Sequence, residues 1–228
     1  MKLVTFSGPP SSGKTSVLLR LIHELSRQGR ASGVIKFDCL YANEAELFGR
    51  YGIPVTVGLS GNLCPDHFFV SNIQEGVEWG LEQRLDYLFT ESAGLCNRCS
   101  PHIRGVTAVC VIDNLMGMET PRKIGPMLRM ADMVAITKYD IVSQAEREVF
   151  LFRVQQANPK ARLLLINGIS GQGVFELARL LSEAPDTDTV KDYRLRFSMP
   201  AALCSYCLGE TKIGTEYQVG NLKKISFL

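Results

Sequence analysis

An apolar strand that runs into a glycine-flanked turn and out into a helix restricts a chain more than any other local pattern here. Residues 3–7 (LVTFS) read as that strand. Residues 15–30 read as the helix, with Val17, Leu18, Leu21, Ile22 and Leu25 on one face. Between them stands Gly8-Pro-Pro-Ser-Ser-Gly13-Lys14-Thr15, which fits G-x-x-x-x-G-K-[ST] in the setting the motif requires. Its glycines let the backbone curl until successive N–H groups face inward, and the helix N-terminus adds positive potential for a phosphate. Lys14 is expected to reach the β- and γ-phosphates and Thr15 to place its hydroxyl on Mg²⁺, while Ser11, Ser12 and Ser16 complete the cradle.

The rest of the chain repeats this alternation. Strands are expected over 33–37, 85–90, 107–113, 132–137 and 161–167, and helices over 72–83, 121–130, 143–157 and 173–183. Residues 107–113 are continuously apolar, as in strands buried on both faces. The order implies an α/β fold of the P-loop NTPase kind, a mainly parallel sheet with helices on both faces. The polar stretch EAPDTDTV (183–190) marks a boundary, giving a domain over 1–183 and a short Cys-containing C-terminal tail over 184–228.

A second element reads the base. Residues 136–140, Ile-Thr137-Lys138-Tyr-Asp140, end a late strand and resemble the Asn/Thr-Lys-x-Asp element of guanine-nucleotide-binding proteins. One carboxylate can accept from both guanine N1–H and the exocyclic amine, whereas adenine would leave Asp140 unpaired. The Lys138 stem can pack over the purine face. Asn167 and Gly168 open a loop after the next strand, where guanine-nucleotide-binding proteins place a second base-contacting loop.

Composition excludes several functions. The chain is 46% hydrophobic and 21% charged, which rules out a disordered chain. A net charge of +2 gives no basic surplus for a nucleic-acid backbone, and no apolar run suits a bilayer. The opening MKLVTFSGPP does not read as a signal peptide, so a cytoplasmic protein is expected. Seven cysteines then stand out, since disulfides do not persist in that compartment. Four form the pairs Cys96/Cys99 and Cys204/Cys207, a spacing that points to metal or redox chemistry.

With these residues in view, the segment 3–183 resembles the nickel-insertion GTPases that mature hydrogenase and urease, within a broader group of P-loop metallochaperones. Four segments carry the likeness: 8–15; Phe37-Asp38; Cys64-Pro65-Asp66-His67; and Glu91-Ser92-Ala93-Gly94. The resemblance implies that Asp38 lies near Mg²⁺, that Glu91 lies near the metal-bound water, and that the Gly94 amide faces the γ-phosphate. It implies a homodimer in which Cys64 and His67 help share a metal between subunits. Here Asp66 separates Pro65 from His67, one residue away from Cys-Pro-His.

The other thiols extend this picture. Cys96 and Cys99 directly follow Gly94, so a ligand held there would feel the nucleotide state. Cys204 and Cys207 lie far off in sequence and either converge on the first pair or pair across a dimer axis. Nickel, zinc and an iron–sulfur cluster all suit such thiolates. Cys110, inside an apolar strand, and the methionines from Met116 to Met133 read as core; Cys39 is open, and His102 is a candidate ligand. The function expected is a GTPase, with Lys14, Asp38 and Glu91 at its catalytic centre, that couples GTP state to metal binding for a client metalloenzyme or another maturation protein. No residue stands out as a strong general base. The alternatives are an iron–sulfur nucleotide hydrolase that activates or reduces a partner, and a small-molecule kinase, for which an Arg-rich lid is missing from the sequence.

Overall fold

Apolar strands that cannot be satisfied from one side assemble into a parallel sheet covered on both. The computed structural model describes residues 1–42, 44–197, 210–217 and 222–227. Its strands are β1 (Lys2–Ser7), β2 (Ser32–Asp38), β3 (Val55–Leu59), β4 (Tyr87–Ser92), β5 (Thr107–Asp113), β6 (Met133–Thr137) and β7 (Arg162–Leu165). They lie in the order β3-β2-β4-β1-β5-β6-β7, with every neighbouring pair parallel. The order reverses around β1, and ligands of such sheets bind at the C-terminal strand ends beside that reversal. The fold is that of a P-loop NTPase.

Helices α1 (Lys14–Arg27), α2 (Glu44–Gly49), α3 (Pro65–Val70), α4 (Ile73–Glu82), α5 (Thr120–Lys123), α6 (Pro126–Arg129), α7 (Gln144–Ala157) and α8 (Val174–Ser182) cover the sheet. Strand side chains alternate between faces. Val4, Phe6, Val34, Phe89, Val109 and Val111 pack with α1 and α8. Leu3, Ile35, Phe37 and Leu88 face α3 and α4, and Cys110, Ile112, Val134 and Ile136 face α6 and α7. Cys110 is core, as its run implies, and burial pushes its thiol pKa up to about 12.

The structure departs from the sequence reading in short elements. β3, α2 and α3 have five or six residues each, too few to set up a recognisable period. The single helix expected over 121–130 is instead two, α5 and α6. They are separated by Gly125 at φ 63, with Pro126 opening α6. A Cβ at Gly125 would lie 2.6 Å from the Asn97 carbonyl oxygen, so this break seats the Cys96–Cys99 loop. Of the tail, Val190, Leu195 and Ile213 join the α3/α4 face, and Ile225 and Phe227 pack against it. Arg196 clamps Asp132 through two bonds of 2.7 Å. Cys204 and Cys207 lie outside the described residues. Among the described residues no helix is long and apolar enough to cross a membrane.

His102, between β4 and β5, is fully buried rather than offered to a metal. Its Nδ1 lies 2.8 Å from Thr5 Oγ1, and its Nε2 lies 3.0 Å from Ser7 Oγ and 3.1 Å from the Met127 carbonyl oxygen. A carbonyl only accepts, so Nε2 carries the proton and Nδ1 accepts from Thr5. Burial, reinforced by the nearby Arg196 guanidinium, holds its pKa down to about 3. A free histidine titrates near 6.5, so the unfolded chain takes up a proton first as pH falls. Stability is therefore expected to be flat above that value and to fall below it, by about 2 kcal/mol from this residue between pH 7 and pH 5. Denaturant unfolding at both pH values measures it, and His102→Gln should flatten the profile.

Candidate nucleotide site and thiol cluster

β1 ends at Ser7, and the chain must turn within a few residues to enter α1. It does so against neighbouring backbone. Gly8 has φ 144, and a Cβ there would lie 2.1 Å from the Val111 carbonyl oxygen, so only glycine fits. Ser11 at φ 60 and Gly13 at φ 92 complete the curl. Lys14 folds back and donates to the carbonyls of Gly8 and Pro9, both at 2.9 Å. Burial lowers its pKa to about 8, with Glu91 opposing that shift and Lys36 adding to it. Thr137, at the end of β6, props the loop from behind by donating to the Ser12 carbonyl at 2.7 Å. The Ser12 hydroxyl is buried without a hydrogen-bond partner among the described residues.

Beside the loop, strand parity places Lys36, Asp38 and Glu91 on the α1 face. Lys36 and Glu91 are register partners on β2 and β4. Glu91 Oε1 accepts from Thr15 Oγ1 at 2.8 Å and from Lys36 Nζ at 2.7 Å. Lys36 Nζ also lies 3.7 Å from Asp38 Oδ2. Glu91 Oε2 is buried with no hydrogen-bond partner among the described residues. Three oxygen-bearing side chains and one orphaned carboxylate oxygen suit a magnesium ion and its waters. The sequence reading missed Lys36, although a lysine inside an otherwise apolar strand, two residues before Asp38, was a usable signal.

At the other end, Lys138 adopts φ 55, donates to the Ser11 carbonyl at 3.2 Å and pairs with the Asp113 carboxylate. Asp113 was also missed; it closes the apolar run of β5 and is buried. Asn167 Nδ2 donates to Asp140 Oδ2 at 2.9 Å, and its Oδ1 accepts from the N–H groups of Ile169 and Ser170. Gly168 packs on α1, where a Cβ would lie 3.0 Å from Ser16 Cβ. The exposed Asp140 carboxylate is thus held by Asn167, and Lys138 links this end of the site to the loop at Ser11.

The thiols gather on the far side of Gly94. Gly94 has φ 73, and a Cβ there would lie 1.8 Å from the Gly8 carbonyl oxygen and 3.4 Å from Lys14 Nζ. Two residues on, Cys96 and Cys99 stand with their sulfurs 3.3 Å apart. Cys99 is buried, and Cys64 packs on it together with Cys96. The hydrogen bond to Cys64 holds the Cys99 pKa far above the usual thiol range, with burial adding to it. Asp66 hydrogen-bonds Cys99, and burial raises its pKa to about 7. His67 is buried on α3, which depresses its pKa. The cluster thus includes Asp66, which the sequence reading treated as a spacer. Its members meet pairwise through hydrogen bonds. Among the described residues no three His, Cys, Asp or Glu side chains are spaced to hold one metal ion. Cys39 is half-buried, its thiol pKa raised chiefly by burial.

Residues 2–165 match the family described as CobW/HypB/UreG, nucleotide-binding domain. The chain belongs to this family. An uncharacterized protein of Methanocaldococcus jannaschii is 44% identical over 225 residues, spanning 99% of this chain and 96% of its own. A urease accessory protein UreG 2 of a Bradyrhizobium species is 33% identical over 195 residues, 78% of this chain and 88% of its own. Among solved structures, HypB from Helicobacter pylori in complex with nickel aligns with a TM-score of 0.64 at 19% identity. That alignment covers 80% of this chain and 86% of HypB and shows a common fold. The CobW/HypB/UreG match ends at β7, so α8 and everything after it lie beyond the matched segment.

Gly94 is the point where the Gly8 turn meets the thiol-bearing loop. Gly94→Ala is expected to cost about 1 kcal/mol or more from its left-handed backbone alone, and to push the loop off Gly8. A denaturation midpoint equal to that of the parent would remove the contact from the account.

Proposed function

We propose that this chain is a GTP-dependent metallochaperone that couples nucleotide state to a thiolate site for a transition metal, delivered to a client metalloenzyme or another maturation protein. The observation that carries the reading is the contact of Gly94 with Gly8, two residues ahead of Cys96. Nickel named with HypB and the urease accessory role named with UreG support nickel as the cargo, and zinc shares the same donors. A homodimer would allow each subunit to complete the other's site.

In this reading the incoming phosphates take the Lys14 ammonium away from the Gly8 and Pro9 carbonyls, exchanging two neutral acceptors for charged ones. Thr15, Asp38 and Glu91 would hold magnesium, which would neutralise charge on the β- and γ-oxygens. The γ-phosphate takes the Gly94 N–H, so the loop from 93 onward cannot keep its present seat on Gly8. Moving it separates or regroups Cys96, Cys99 and Cys64, because Cys99 is the shared hydrogen-bonding partner. Hydrolysis adds water to the γ-phosphorus, breaks its bond to the bridging oxygen, and releases GDP and phosphate; the loop then returns. The described site holds no strong base aimed at such a water, which fits slow turnover. Asp140 selects guanine, with Asn167 fixing one of its oxygens.

Two outcomes test this. Asp140→Asn should shift preference from GTP towards xanthosine triphosphate by about tenfold or more in competition binding, since the amide NH2 then faces guanine's exocyclic amine but can donate to the carbonyl that xanthine has in its place. Unaltered discrimination would contradict the base assignment. Replacing Cys96 and Cys99 by Ser should lower nickel or zinc bound per chain, or remove the difference in metal affinity between the GTP and GDP forms, measured by equilibrium dialysis. Full metal content with normal coupling would sink the switch.

A further inference from the structure

Among the charged groups of the nucleotide site, Lys36 has no place in the machinery described so far. Its position follows from strand geometry. Parallel register sets it beside Glu91, and alternation sends both side chains to the α1 face rather than into the α3/α4 core. The side chain is 5% exposed, so the ammonium is committed to this site and not to solvent. It donates to the same Glu91 oxygen that accepts from Thr15, and it also faces Asp38. One ammonium therefore touches or shares an atom with each residue that would hold magnesium.

We propose that Lys36 is a built-in counter-ion for the magnesium ligands, which makes uptake of guanine nucleotide largely independent of magnesium. The inference rests on the nucleotide-binding reading above. Buried carboxylates need a compensating charge, and a site built on them collapses or protonates without one. Among the described residues Lys14 and Lys36 face Asp38 and Glu91, so positive and negative charge meet at close range. Thr15, Asp38 and Glu91 are thereby held together before any metal arrives. A diphosphate entering this site meets two ammonium groups rather than one, so magnesium is less needed to offset its charge. Magnesium arriving alone meets a neighbouring cation at short range, which opposes its binding to the nucleotide-free protein.

The test compares full-length parent, Lys36→Met and Lys36→Arg, using a fluorescent GDP analogue with excess EDTA and with millimolar Mg²⁺. The parent and Lys36→Arg are expected to change affinity by less than about threefold between the two conditions, and Lys36→Met by more than about tenfold. Electron paramagnetic resonance of Mn²⁺ without nucleotide gives a second readout. Binding should be undetectable in the parent and present in Lys36→Met. A parent that already shows a steep magnesium dependence, or a Lys36→Met variant as insensitive as the parent, would overturn the proposal. Should Lys36→Met fail to fold, the parent's own magnesium dependence decides. A parent that binds no guanine nucleotide in either condition would instead remove the nucleotide reading itself.

Discussion

Three stretches of backbone meet at Gly8, and the spacing among them governs the site. On one side the Val111 carbonyl of β5 leaves no room for a Cβ; on the other, Gly94 leaves no room for one of its own against the Gly8 carbonyl. The height of the phosphate cradle above the sheet is therefore set by main chain on both flanks, not by adjustable side chains. Main-chain contacts of this kind cannot yield by a rotamer change. Whatever enters between Gly8 and Gly94 has to move a loop, and that loop bears the thiols.

Charge is arranged around the same point. β4, next to β1, and β2 beyond it bring Glu91, Lys36 and Asp38 to the face covered by α1, where the helix places Lys14 and Thr15. Parity alone achieves this, since positions 34, 36 and 38 share a face and position 34 packs under α1. The apolar core and the ionic centre are thus consecutive stations along the same strands. The sheet is dry near its middle and charged at its C-terminal ends, as a sheet that binds at those ends must be.

Much of this was legible in the residues. The turn at 8–15 specified its own strand, curl and helix, because glycine at fixed positions and a lysine at the helix start have few other uses. Asp140 and Asn167 both stood out in the residues, and they are hydrogen-bonded to each other. Lys36 was not, since hydropathy treats a lysine in a strand as a fault rather than a partner for a residue 55 positions away. Asp66 escaped for a similar reason. Its role depends on Cys99, brought near by the packing of the helix Pro65–Val70 against the loop after β4 and not by local spacing. His102 misled: beside a Cys-x-x-Cys it has the look of a ligand, whereas Thr5, Ser7 and Met127 already use both ring nitrogens.

Asn97, midway between the two thiols of the loop, rests its carbonyl against Gly125, and the next helix hands the Met127 carbonyl to His102, which grips β1. The thiol loop is for that reason no detachable cassette. Grafted onto another nucleotide-binding sheet, it would arrive without the broken helix that seats it or the imidazole that ties that helix to the central strand. Conversely, a substitution at Gly125, more than twenty residues from either thiol and nowhere near a phosphate, would be felt first at sulfur.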